Sequence, residues 1–289
     1  MKKFFGYTAY TLCSLVFFLA ILFPADQAGR FVEMRLTKEL KKDVFIGGIA
    51  PAGLTSVRLE RPGLSDRTGV LLQAEEVVFS PSIISLMRKR PNVDIAASIY
   101  NGEVDGKIKA SDNAKSIRGP YEGFIGFQRI DLSAMDAASR IPEPGLVTGS
   151  LNGEFTFSNL TERWMDMEGE GDFSISSGNM VMWTGIGAGM NIPYDEITAQ
   201  ISMKNGKIDV KDFVLKGDLV RGRFSGAIRL NKDFARSRVN LKGSMEPTRT
   251  FYESDLGKIA KTVFRNKKPG DAIPFTVTGT LGDMQFAPK

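Results

Sequence analysis

The sequence predicts a mainly β protein, in which an apolar amino-terminal transmembrane helix is followed by a long antiparallel sheet body with a few short helices. Three observations predict it. From Val44 onward hydrophobic and polar residues alternate with period two, turn residues recur every ten or so positions, and one uncharged run, Phe4 to Ala25, precedes the change of period. The chain has 289 residues, 42% of them hydrophobic, which is enough to bury a core.

Phe4 to Ala25 is 22 residues long, and at ~1.5 Å of rise per residue a helix of that length crosses a ~30 Å hydrocarbon layer. Phe5, Leu12, Leu15, Phe18, Leu19 and Leu22 are its anchoring residues, and residues 1–3 remain as a cytoplasmic leader. The alternative is a cleaved signal peptide, because Lys2 and Lys3 precede the run. Against it, the run exceeds the roughly 7–15 apolar residues of a signal peptide, and Ala25-Asp-Gln-Ala28 lacks a small-x-small cleavage site. Cys13, inside the run, reads as a packing or lipid-facing residue. Arg30, Arg35, Lys38, Lys41 and Lys42 outnumber Lys2 and Lys3, a charge count that by itself favours a cytoplasmic body. The length of the body outweighs that count, since long domains translocate largely regardless of charge, and the expected topology is single-pass with the body outside the cytoplasm. Residues 26–43, with Phe31, Leu36 and Leu40 among charged neighbours, predict a short amphipathic helix that ends before Asp43.

Residues 44–289 are the predicted β body. Its clearest strand places Ile197, Ala199, Ile201 and Met203 on one side and Thr198, Gln200 and Ser202 on the other. Asn205-Gly206 closes a two-residue hairpin, since both residue types accept positive φ, and Ile208 and Val210 resume the apolar face before Phe213 and Leu215 continue after a phase shift. Asn101-Gly102 and Asn152-Gly153 predict two further hairpins of the same kind, a quasi-repeat. Later strands carry Phe224, Gly226, Ile228 and Leu230, then Val239 and Leu241, then Phe275, Val277, Gly279 and Leu281. Ser80 to Pro91 predicts a helix with a Ser cap, an early Pro and a Pro stop. Thr250-Phe-Tyr-Glu253 reads as a capping box opening a second helix, with Leu256, Ile259, Ala260 and Val263 on one stripe. Ile141-Pro-Glu-Pro-Gly145 is the best candidate for a sub-boundary within the body.

Composition narrows the chemistry. With no histidine and one cysteine, the Ser-His-Asp triad, His-containing or Cys-rich zinc sites and any intrachain disulfide are excluded. A balance of 38 basic and 33 acidic residues is a mixed surface and not the footprint of a nucleic-acid binder. Gly185-Ile-Gly187-Ala-Gly189 lacks the helix and distant acid of a dinucleotide loop, and Glu168-Gly-Glu170-Gly-Asp172 lacks the spacing of a calcium loop and reads as a solvated turn. No catalytic, cofactor or metal residue is assigned, and the chain reads as a non-enzyme.

Two features are left as candidate binding elements. The apolar face carrying Ile197, Ile201, Met203, Ile208, Val210, Phe224, Ile228 and Leu230 is either a closed sandwich core or an open groove for phospholipid acyl chains, and periodicity does not separate the two. The cations Arg88, Lys89 and Arg90, with Lys261 and Arg265, either contact anionic lipid or a protein partner, or solvate helix ends.

The order of these segments resembles a known family. The anchor ending in Phe23-Pro24, Val44-Phe-Ile-Gly-Gly leading to Gly53-Leu-Thr-Ser-Val-Arg-Leu59, and Ser80 to Pro91 look like type II secretion system protein N (GspN), as do Asn205 to Gly217, Gly222 to Leu230 and Gly279 to Phe286. The pattern is also similar to the wider AsmA-like envelope proteins. The resemblance implies an elongated, curved antiparallel sheet in the periplasm, held by a single-pass anchor in the inner membrane of a two-membrane bacterium. It also implies an accessory role in exporting folded proteins beside other secretion components, with no catalytic residue and no cofactor. The lipid-binding or lipid-transfer role of an AsmA-like groove is the alternative.

Overall fold

The computed structural model describes residues 25–40, 42–53, 55–66, 69–114, 119–134, 147–161, 163–183, 189–254, 257 and 268–288. A helix, α1 (Ala25–Leu40), precedes β1 (Asp43–Phe45), β2 (Gly48–Pro51), β3 (Val57–Glu60), β4 (Gly63–Asp66), β5 (Gly69–Gln73) and β6 (Glu76–Pro81). A five-residue helix, α2 (Ile83–Met87), leads to β7 (Asn92–Ile99), β8 (Gly102–Ala110), β9 (Tyr121–Asp131), β10 (Ser150–Leu160), β11 (Glu168–Trp183) and β12 (Gly189–Lys204). Then follow β13 (Lys207–Lys216), β14 (Val220–Arg229), β15 (Arg238–Pro247), a short helix α3 (Arg249–Glu253), β16 (Ile273–Thr280) and β17 (Asp283–Pro288).

The protein is mainly β, with few helices. Among the described residues fourteen strands form one antiparallel sheet in the order β2-β3-β6-β7 and then consecutively to β17, and β1, β4 and β5 form a small second sheet. From β6 onward each strand pairs with its sequence neighbours, so the turns fall alternately at two ends. One end carries α2 and the Asn205-Gly206 turn; the other carries the β7–β8 turn, α3 and the small sheet, tied to it by the Gln73 amide donating to the Tyr100 hydroxyl at 3.0 Å.

Register explains the single apolar face. Leu59, Val77, Ala97, Val104, Phe127, Gly153, Phe173, Ala199, Phe213, Phe224, Gly243 and Phe275 stand opposite one another in turn across successive strands. Residues directly paired in an antiparallel ladder share a face, and the parallel rows through Ile125, Phe155, Gly171, Ile201 and Val210, and through Phe157, Gly169, Met203, Ile208 and Ile228, continue it. The opposite face is laced with cross-strand ion pairs: Asp94–Lys107 at 3.2 Å, Glu122–Lys109 at 2.9 Å, Glu168–Lys204 at 3.1 Å, Glu196–Lys216 at 2.6 Å and Asp212–Arg223 at 3.2 Å.

Glycines on the apolar face stand beside phenylalanines. Phe127 and Phe173 flank Gly153, and Phe224 and Phe275 flank Gly243. Strands two apart stand roughly 9.5 Å from each other, yet both ring pairs have centroids at 6.1 Å. The rings lean over the glycine between them, where a Cβ on Gly153 would meet Phe173 at 2.6 Å.

Several expectations need correction. Asn205-Gly206 is the hairpin turn, with φ of 50° and 67°, but at β7–β8 the turn residues are Tyr100 and Asn101, and Gly102 pairs with Ile99 inside the strand. Gly102 is needed for space, since a Cβ there would lie 2.6 Å from the Gln128 and Arg129 backbone. Asn152-Gly153 is no turn at all: it lies within β10, opposite a bulge in β9, where the Asn152 side-chain oxygen accepts from the Arg129 amide at 2.9 Å. The quasi-repeat of three hairpins therefore dissolves. Glu168 to Asp172 is a strand and not a turn, its glycines facing Phe157 and Phe155. The first body helix is shorter than expected, because Ser80 and Pro81 remain in β6 and Ser82 is the residue whose hydroxyl accepts from the Ser85 amide. α3 is capped by Thr248, not Thr250, and Glu253 pairs with Arg249 at 2.9 Å instead of closing a capping box. The amphipathic helix before Asp43 is α1, but Phe31 and Leu36 do not share its packed face: five residues turn a helix by about 140°, leaving Phe31 65% exposed and Leu36 half-buried.

Other expectations fall outside the described residues. These are the run from residue 4 to 24 with all six anchoring residues, the 141–145 boundary, the stripe Leu256, Ile259, Ala260 and Val263, and the cations Lys261 and Arg265. Among the described residues no helix is long and apolar enough to cross a membrane. The strands on either side of 141–145, β9 and β10, pair with each other.

Candidate functional site

Among the described residues, the apolar face divides into a part covered by α3 and a part with no helix over it. At the α3 end, Phe251 and Tyr252 pack with Ile192, Tyr194, Ile197, Leu215 and Val220, all at most 9% exposed. The Thr248 cap sets this helix on the sheet, because its hydroxyl also donates to the Asp218 carbonyl and accepts from the Phe251 amide at 3.3 Å. Tyr194 donates its hydroxyl to the Thr148 carbonyl. Burial pushes the Tyr194 and Tyr252 phenols above the ordinary tyrosine range, Asp271 adding to the effect at Tyr252. Among the described residues the Tyr252 hydroxyl is buried with no hydrogen-bond partner.

Toward the α2 end the same strands continue with Val210, Val239 and Leu241 at the centre of a second cluster, and Ile201, Phe213, Phe224, Ile228, Val277 and Leu281 around it. Phe213 and Phe224 stack with centroids 3.8 Å apart. Among the described residues this cluster is drawn from β12 to β16 and the turn after β16, with no residue of a helix.

The structure brings the predicted face together. Ile201 pairs with Val210, and Met203 pairs with Ile208, which pairs with Ile228. The phase shift read between Val210 and Phe213 is a bulge: Lys211 and Asp212 both fall between the paired residues Val210 and Phe213, and Lys211 reaches Glu170 on the polar face at 2.8 Å. Within this set exposure varies. Met203, Val210 and Leu230 are buried, whereas Ile201, Ile208, Phe224 and Ile228 are half-buried. Ile197 is 2% exposed beneath α3 and so belongs to a closed cluster and not to a groove.

Arg88, Lys89 and Arg90 directly follow α2 and are exposed, Arg90 standing 3.4 Å from Asp112. The polar face holds a recess of about 940 Å³ between β8 and β13. Its charged walls include Lys109 with Glu122 and Lys204 with Glu168, pairs already made within the protein. The Lys109 hydrogen bond holds Glu122 below the usual carboxylate range, and Lys211 does the same for Glu170 by hydrogen bond and charge.

The sequence reading missed the covering role of Phe251 and Tyr252 and the pairing of Phe155 and Phe157 with Gly171 and Gly169. A signal for the second existed: a Phe-x-Phe strand meets a Gly-x-Gly strand in the next hairpin. No family model, curated protein or solved structure matches the chain.

Proposed function

We propose that the chain is a non-enzymatic, membrane-tethered envelope protein whose sheet holds acyl chains of phospholipid on the uncovered part of its apolar face. The observation that carries this reading is the half-burial of Ile201, Ile208, Phe224 and Ile228 on a sheet with no second sheet over that part among the described residues. Apolar area left in water costs about 25 cal/mol per Å² relative to burial, and contiguous apolar patches mark ligand or partner surfaces. The sheet is a single antiparallel layer with polar and apolar faces, which agrees with the AsmA-like resemblance. In this reading Phe4 to Ala25 anchors the chain in the inner membrane, and the body lies in the periplasm beside a lipid source.

Purification of the full chain and mass spectrometry of its extract is the test. The expected result is phospholipid recovered with the protein, lost in Ile201→Asp while the circular dichroism of the sheet is kept. Equal recovery from both proteins, or unfolding of the variant, would defeat the reading, the latter because it would mark Ile201 as ordinary core.

A second reading is an accessory component of type II secretion. It is favoured by an order of segments that resembles that family and by β17, an edge strand to which a partner strand can add. Crosslinking in envelopes that recovers no secretion component, together with unchanged export on deletion, would dismiss it.

A further inference from the structure

We propose that α2 with the three cations after it is a second membrane contact, a prong that dips into an anionic phospholipid surface at the α2 end of the sheet. Ile83, Ile84 and Met87 of α2 are 53%, 65% and 81% exposed. Three large apolar side chains so exposed on one five-residue helix are costly in water unless something covers them. Arg88, Lys89 and Arg90 follow at once and are exposed too. An apolar tip with a cationic collar matches the boundary of a bilayer, where hydrocarbon lies beneath anionic headgroups.

The prong is held firmly. Ser82 donates its amide to the Asn92 carbonyl at 2.9 Å, Arg90 to Ser85 at 2.9 Å, and Ala110 to Pro91 at 2.8 Å, so the strands on both sides fix its base.

The direction of α1 makes lipid the occupant. Thr37 accepts from the Val44 amide at 3.1 Å, Glu33 accepts from the Ile46 amide at 2.6 Å, and Gly29 lies against Ile49. The helix therefore runs antiparallel to the chain from Val44 to Ile49, and its start points toward Pro51. Pro51 pairs with Val57, and Val57 pairs with Phe79, two residues before the end of β6, where α2 begins. The uncharged run that precedes α1 thus enters the body at the end of the sheet that presents the prong. The inference rests on the reading of that run as a membrane tether, and it is independent of whether the sheet holds lipid.

The test uses the full chain in vesicles of phosphatidylcholine with and without phosphatidylglycerol. In a Cys13→Ser background, an environment-sensitive fluorophore is placed at Ile84→Cys, or at Leu72→Cys on the opposite end of the sheet. Flotation reports the tether, and quenching by lipids labelled near the headgroup reports the prong. The expected result is flotation of every variant, quenching at position 84 several-fold above that at position 72, and loss of most of it without phosphatidylglycerol or in R88E/K89E/R90E. A chain that floats while position 84 stays as water-exposed as position 72 overturns the prong and leaves the tether standing. A chain that does not float overturns both. Protection of position 84 in native envelopes but not in vesicles would assign the surface to a protein partner and overturn the lipid contact.

Discussion

Ile197 and Ile201 stand four residues apart on one face of β12, yet the first is 2% exposed and the second half-buried. Residue type and strand are the same; what differs is the surroundings. Ile197 has Ile175 and Leu215 on the flanking strands and α3 in its cluster, whereas Ile201 has Val210 on one side and only Gly171 on the other. In a single-layer sheet, burial is set by the covering element and by the side chains on adjacent strands, and alternation along one strand reports neither.

The largest effect that would test this contrast is removal of the cover. Phe251→Ala is expected to cost about 3–5 kcal/mol, lowering Tm by roughly 2–4 °C for each kcal/mol in a chain of this size. Calorimetry measures it, and an unchanged Tm would erase the distinction between the two ends. Gly178→Ala is expected to cost about 1–3 kcal/mol by overpacking, because its Cβ would press on the Thr148 carbonyl and lie 2.5 Å from the Tyr194 hydroxyl. Denaturant titration should give a lower midpoint for this variant than for Ile201→Asp, which alters only the uncovered part.

The smallest effects are expected from pH, and they separate the polar face from the covered cluster. Glu122 and Glu170 have folded-state pKa values below their ordinary range. Their contribution is present above the unfolded carboxylate pKa and is lost as pH falls through the lower folded value. Tyr194 and Tyr252 are shifted upward by burial. Their contribution is complete below the unfolded tyrosine pKa near 10 and is lost as pH rises toward the folded value. Tm should therefore fall slightly in acid through the polar face and in strong alkali through the α3 end. In Phe251→Ala the alkaline fall should shrink while the acid one remains.

Much of the sheet is legible in the sequence because period-two alternation is a local property of each strand. Ile197 to Met203, the Asn205-Gly206 turn and the shift before Phe213 all follow from it. The other two Asn-Gly pairs mislead for a physical reason: asparagine and glycine suit positive φ, but Gly102 and Gly153 serve close approach to backbone and ring atoms contributed by other strands. The Asn152 side chain likewise satisfies an amide 23 residues away. The covering of Ile197 by α3 is also a long-range fact, hidden because Phe251 and Tyr252 stand in a short segment more than 50 positions later.

The strand order has a consequence for how the protein assembles and how it can be cut. From β6 to β17 every pairing joins strands adjacent in sequence, so this part of the sheet behaves as a one-dimensional array whose stability is a sum of nearest-neighbour couplings. Such an array can nucleate at any one hairpin and grow outward. Removing β16 and β17 would leave the couplings from β6 to β15 in place and make β15 the new border. The array's length can therefore change by whole hairpins, and with it the width of the apolar surface, without redesign of the strands that remain.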